Sequence, residues 1–146
     1  MPRRKKDELP SSATAHLIDT NVIMRFLMGD DQAKAARVTA LMRRVEFGKE
    51  TVEITEVVVM EAVWTLTEFY KIPRKQVSER LTEFFEIPGV RVPSRGICLR
   101  ALRDYAETTA DFVDCLIAAR SRTRSIPIYS FDDSDFKKLA CDWKNP

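Results

Sequence analysis

Three observations predict an α/β fold, with a central parallel sheet of four to five short strands flanked by helices on both faces. Short apolar runs that read as strands alternate along the chain with longer segments of helical period. The first such run, Leu17-Ile18, stops on a carboxylate, Asp19, and in an open α/β sheet the carboxyl ends of strands are where ligands bind. No repeat, low-complexity block or internal linker interrupts the 146 residues, a length that suits one domain with a proper core.

Taken in order, residues 1–15 hold charges, Pro2, Pro10 and Ser/Thr with no apolar period, and are expected to be a mobile basic extension ahead of a domain at 16–146. His16 to Asp19 reads as a strand and Asn21 to Met28 as a short helix closed by Gly29. Asp30-Asp31 sits where a helix start favours negative charge, and Ala35, Val38, Leu41, Met42 and Val45 follow at helical spacing toward Gly48. Thr51 to Thr55 alternates like a strand, and the run from Glu56 to Tyr70 is long enough to be a helix. Pro73 opens another helix with Val77, Leu81, Phe84 and Phe85 on one face, ended by Pro88-Gly89. A strand at Val90 to Val92, helices at Ile97 to Tyr105 and Phe112 to Arg124, a strand at Ile126 to Tyr129 and a short helix from Asp133 to Leu139 complete the pattern.

Composition narrows the function classes. With 45% hydrophobic and 32% charged residues the chain is of ordinary globular type. No apolar run reaches the roughly 18 residues a membrane helix needs; the longest, Val57 to Leu66, is broken by Glu61. The basic N-terminus lacks the apolar core of a secretory signal, so a cytoplasmic protein is expected. Cys98, Cys115 and Cys141 have no paired-ligand spacing, which argues for buried thiols over zinc or a disulfide framework. The net charge of +2 owes much to Arg3, Arg4, Lys5 and Lys6; without those four, 20 basic residues face 22 acidic ones. A polyanion would therefore need a local basic patch or the extension itself.

Chemistry points to carboxylates. Asp19 ends the first predicted strand and Asp132 follows the last, which places them on one rim of a parallel sheet. Glu61 stands in VVVMEAVWTL and Asp114 in DFVDCLIAA, both among apolar neighbours, with Asp111 one helical turn before Asp114. Carboxylates in apolar surroundings are costly unless paired or bound to a metal, and converging ones raise one another's pKa. A divalent cation relieves that repulsion. Hard oxygen ligands without a His or Cys cluster match Mg²⁺ or Mn²⁺, ions suited to phosphodiester hydrolysis.

Each acid also has an ordinary structural role open to it. Asp19 can cap the helix that follows, Glu61 can pair with an arginine, and Asp111 can be an N-cap. Asp114 can interact with a helix dipole, and Asp132, Asp133 and Asp135 can form a solvated, helix-capping turn.

The order of these motifs resembles that of the PIN-domain ribonucleases, most closely the VapC-type toxins of toxin–antitoxin pairs. LIDTNVIMRFL is similar to the opening strand and Asp-Thr-Asn motif, ITEVVVMEAVWTL to the second acidic motif, ADFVDCLIAA to the third and IYSFDDSDFKKL to the last. The resemblance implies a PIN-like fold and a Mg²⁺- or Mn²⁺-dependent endoribonuclease that commonly forms a homodimer and is blocked by a cognate antitoxin. Carried over, Asp19, Glu61, Asp114 and Asp132 are its acids. Asp19, Asp114 and Glu61 are the preferred metal ligands, Asp132 acts directly or through water, and Asp111 is an occasional addition. Thr20 and Asn21 match polar residues that support the first carboxylate, and Ser130 replaces the usual threonine. The alternative is a catalytically weak PIN-fold module that binds RNA or protein. A phosphoacceptor domain fits less well, because Asp19 has no adjacent acid and Ser130-Phe131-Asp132 offers no lysine at the end of the last predicted strand.

Arg120, Arg122 and Arg124 are candidate contacts to an RNA backbone, or else a solvated helix end. Trp64 and Tyr70 can stack on bases, though their spacing in an apolar helix favours core or interface, and apolar surface around Leu27, Leu66, Phe69 and Phe84 can hold a partner chain or belong to the core.

Overall fold

A computed structural model of the chain describes residues 14–146. Of the expected extension, 1–15, only Thr14 and Ala15 fall within them, and they belong to the first strand. The elements run β1 (Thr14–Leu17), α1 (Thr20–Met28), α2 (Gln32–Glu46), β2 (Glu50–Glu53) and α3 (Glu56–Trp64), which widens into a π-helical turn over Thr65–Phe69. They continue through α4 (Arg74–Glu86), β3 (Val90–Arg91), α5 (Arg95–Glu107), α6 (Phe112–Arg124), β4 (Ile128–Tyr129), α7 (Ser134–Lys138) and β5 (Trp143–Lys144). The α/β class stands, with parallel strands and helices between them.

The strands divide differently from the expectation of one sheet of four to five. β1, β2 and β3 form a three-stranded parallel sheet in that order, and β4 pairs in parallel with β5 alone. The C-terminal segment occupies one edge of β4. Ile128 N–H donates to the Asp142 carbonyl at 2.9 Å and Ser130 N–H to the Lys144 carbonyl at 3.1 Å, so the amide donors on this side of β4 are engaged by β5. Asp19 and Asp132 therefore follow strands of two different sheets.

β2 is the central strand, and its Thr51 and Val52 are buried, as is Ile54 just beyond it, as a strand covered on both faces requires. β1 is an edge with Ala15, His16 and Leu17 exposed, and burial resumes only at Ile18. The helices close the core by their apolar stripes. On α4 the predicted face Val77, Leu81, Phe84 and Phe85 is fully interior, and Phe26 of α1 meets Phe84 edge-on at 5.6 Å between ring centroids. Leu66 and Phe84 are thus core, not surface for a partner; of that expected patch only Phe69 is well exposed, with Leu27 half-buried. Cys98 and Cys115 are interior thiols, which burial pushes up to about 11 and about 12 respectively.

One glycine is demanded by close approach. Gly89 turns the chain into β3 at φ +89°, and a Cβ there would lie 2.5 Å from the Val45 carbonyl oxygen.

Candidate active site

Asp19 stands two residues past β1 with extended backbone, and its Oδ1 accepts from Val22 N–H at 3.2 Å. It is the N-cap of α1, so one oxygen is committed to the helix start while the residue stays exposed. Thr20, 5% exposed, turns inward, and its hydroxyl donates to Glu61 Oε2 at 2.8 Å. The polar residue after Asp19 thus holds Glu61 rather than Asp19. Asn21 is exposed in the first turn of α1.

Glu61 is exposed, although nearly all its sequence neighbours are apolar. Val57 and Trp64, one turn to either side of it, are 68% and 64% exposed, so the outward face of α3 is itself apolar. No arginine pairs with Glu61 among the described residues; its partner is the Thr20 hydroxyl.

A second group of acids gathers at the start of α6. Asp111, Asp114 and Asp135 each bring a carboxylate oxygen within 4.8 Å of the others. Asp111 precedes the helix and makes no side-chain cap; its backbone N–H instead donates to Asp135 Oδ2 at 3.0 Å. Asp114 lies in the first turn of α6, half-buried, where the helix dipole favours negative charge. Asp135 comes from the first turn of α7, a helix seated by the buried Phe136. Asp132 is exposed and fixed locally: its N–H donates to Ser130 Oγ at 2.9 Å, its Oδ1 accepts from Ser134 N–H at 3.1 Å, and Ser130 Oγ donates back to its carbonyl at 2.9 Å.

Crowding shows in the protonation of Asp114. Burial, a hydrogen bond with Asp135, and the charges of Asp135, Asp111 and Asp132 push its carboxyl up to about 6. Asp135 moves the opposite way, held below the usual carboxylate range chiefly by the Asp111 amide. Two cations border the group. Lys138 Nζ lies 3.8 Å from Asp135 Oδ1 and donates to Thr109 Oγ1 at 2.7 Å. Arg74 of α4 stacks 3.6 Å over the Tyr105 ring and donates to the Tyr105 and Ala110 carbonyls, anchoring the backbone just before Asp111.

The sequence-predicted acids therefore fall into two sets. Asp19 and Glu61 are linked through Thr20; Asp114 stands with Asp111 and, through charge, with Asp132. Asp135 is the member that sequence reasoning set aside as part of a solvated turn. Its neighbours in space, Asp111 and Asp114, are distant in sequence, so no local spacing marks it. The α3 and α6 helices that carry Glu61 and Asp114 are tied by Arg120, whose guanidinium forks onto Glu56 at 2.7 and 2.9 Å. Arg122 is likewise engaged, with Asp104 at 2.5 Å and the Leu139 carbonyl. Tyr70 donates to Asp30 Oδ2 at 2.7 Å.

The donor set of the Asp111–Asp114–Asp135 group fits a hard divalent cation: three carboxylate oxygens, a proton retained on Asp114 by burial and by its acidic neighbours, and no His or Cys among them. A model of the PIN domain matches residues 16–141. No individual curated protein matches the chain significantly. The matched segment spans every element from within β1 to the turn after α7 and includes all six acids described above. The chain belongs to the PIN-domain family, whose members are in general divalent-metal-dependent nucleases that act on RNA.

Proposed function

We propose that this protein is a Mg²⁺- or Mn²⁺-dependent endoribonuclease, acting in the cytoplasm as the toxin of a type II toxin–antitoxin pair. The observation that carries the catalytic part is the Asp111–Asp114–Asp135 cluster at a helix start, where burial first and the neighbouring acids second raise the Asp114 carboxyl toward neutrality. A bound cation would be held by Asp111, Asp114 and Asp135, with Asp19, Glu61 and Asp132 as further acids of the site; when bound it supplies Lewis acidity and lowers the pKa of water.

The chain's own residues prepare that site. Thr20 fixes Glu61 through Oε2, which leaves Oε1 to accept a hydrogen bond from a reacting water. Ser130 and Ser134 fix Asp132, and the Asp111 amide keeps Asp135 ionised. Water adds to phosphorus and gives up a proton to bulk solvent, the bond to the departing ribose oxygen breaks, and that oxygen takes up a proton from solvent.

The homodimer and the antitoxin are supported by exposed apolar side chains: Val57 and Trp64 on α3, and Val113 and Ile117 on α6. Among the described residues no helix is long and apolar enough to cross a membrane.

The test is cleavage of structured RNAs by the purified chain with Mn²⁺ or Mg²⁺, with EDTA, and with Asp114→Asn. The proposal expects cleavage that needs metal and is lost in the variant. Cleavage surviving either change would sink it, and metal binding with RNA left intact would favour the catalytically weak module.

A further inference from the structure

A groove of about 530 Å³ runs between α1 and α2, with Asp19, Arg25, Lys34, Arg37 and Arg44 in its walls. Its side chains carry four cations against one carboxylate, on a chain whose overall charge is only +2. Lys34, Arg37, Val38, Leu41 and Arg44 step along α2 at intervals of three and one, so a single face of that helix alternates charge with apolar surface. From Lys34 to Arg44 this face is about 15 Å long, room for roughly four stacked nucleotides of one strand.

We infer that this groove is the track along which a single RNA strand lays its phosphates on the way to Asp19; the inference rests on the ribonuclease reading above. The cations are available for the purpose. Arg37 has no ion-pair partner among the described residues, whereas Arg120 and Arg122 on α6 are already held by Glu56 and Asp104. The remaining pairs, Arg25–Asp30 at 3.0 Å, Lys34–Asp31 at 3.4 Å and Arg44–Glu50 at 2.9 Å, lie at the surface. Exposed pairs of this kind are weak and screened, so a phosphate can share or displace the carboxylate. Arg25 also keeps an enclosed Nε–H with no acceptor among the described residues. A positive groove that follows the backbone without reading bases is how single strands are bound regardless of sequence. Asp19 in the wall is what favours RNA over an acidic peptide, since a strand there passes one of the acids of the candidate site.

Binding of a short fluorescein-labelled single-stranded RNA of mixed sequence, followed by anisotropy in the Asp114→Asn background, tests the groove apart from catalysis. The triple variant Lys34→Ala/Arg37→Ala/Arg44→Ala is expected to weaken binding at least about tenfold and to flatten the slope of log K against log salt by about 2. Arg37→Lys is expected to keep most of the affinity. Mn²⁺ binding and thermal unfolding of the triple variant, with the acids intact, should match those of the unsubstituted chain. An unchanged RNA affinity and salt slope in the triple variant would overturn the inference. So would poly-glutamate binding more tightly than RNA and being lost in that variant. If cleavage stays metal-dependent while the triple variant binds RNA normally, only the groove falls; cleavage that survives Asp114→Asn removes the Asp114 metal-site reading on which the groove inference rests.

Discussion

The Thr20 hydroxyl donates a 2.8 Å hydrogen bond to Glu61 Oε2, joining residues 41 positions apart in the chain. It ties the residue after Asp19 to the acid of α3. Thr20→Val keeps the shape and removes the donor, so it should lower metal-dependent RNA cleavage by about 10-fold or more while costing only about 1 kcal/mol of stability. Thr20→Ser should restore most of the rate. Kinetics and thermal unfolding on the two variants separate positioning from folding.

Asp114 makes the stability of the metal-free protein depend on pH in an unusual direction. The folded chain keeps this proton up to about pH 6, while an unfolded aspartate releases it near 3.8. Between those values the folded state binds more protons, so this group's contribution to stability falls as pH rises from about 4 to about 6. The difference in unfolding midpoint between the unsubstituted chain and Asp114→Asn, measured across that window with EDTA, should shift in favour of Asn as pH rises. Mn²⁺ should reverse the shift.

The Arg120–Glu56 fork couples the helices bearing Glu61 and Asp114. Both side chains are substantially solvated, so a double-mutant cycle on Arg120→Met and Glu56→Gln should give a coupling of only about 0.5 kcal/mol. Cleavage should fall further than that figure implies, because the two acids would lose a fixed separation. A coupling above about 3 kcal/mol would mean the pair is enclosed rather than solvated.

Gly89→Ala meets both a left-handed backbone and the Val45 carbonyl. It should destabilise the fold by about 2–4 kcal/mol in denaturant unfolding. Gly48 also has positive φ but open space around it, so Gly48→Ala should cost less, about 1 kcal/mol.

Local chemistry made much of this molecule legible before any coordinates. The α4 stripe of Val77, Leu81, Phe84 and Phe85 follows from helical period alone, and the caps at Gly29 and Asp31 follow from residue type. Glu61 shows where such reading stops. Apolar neighbours in sequence imply burial only on a strand or a fully enclosed helix, and on α3 the positions one turn away, Val57 and Trp64, face outward with it. The separate β4–β5 ladder was hidden because two-residue strands carry no alternation, and Asp135 because its partners, Asp111 and Asp114, are distant in sequence. The π-helical turn at Thr65–Phe69 has no residue signature at all.

Titration of Mn²⁺ into the metal-free protein, read by calorimetry, tests the central claim most directly. The account predicts saturable binding to the unsubstituted chain, weakened at least about tenfold by Asp114→Asn and by Asp135→Asn, with proton release near pH 6 that Asp114→Asn abolishes. Binding that is equal in all three proteins, or absent from the unsubstituted chain at millimolar metal, would contradict it.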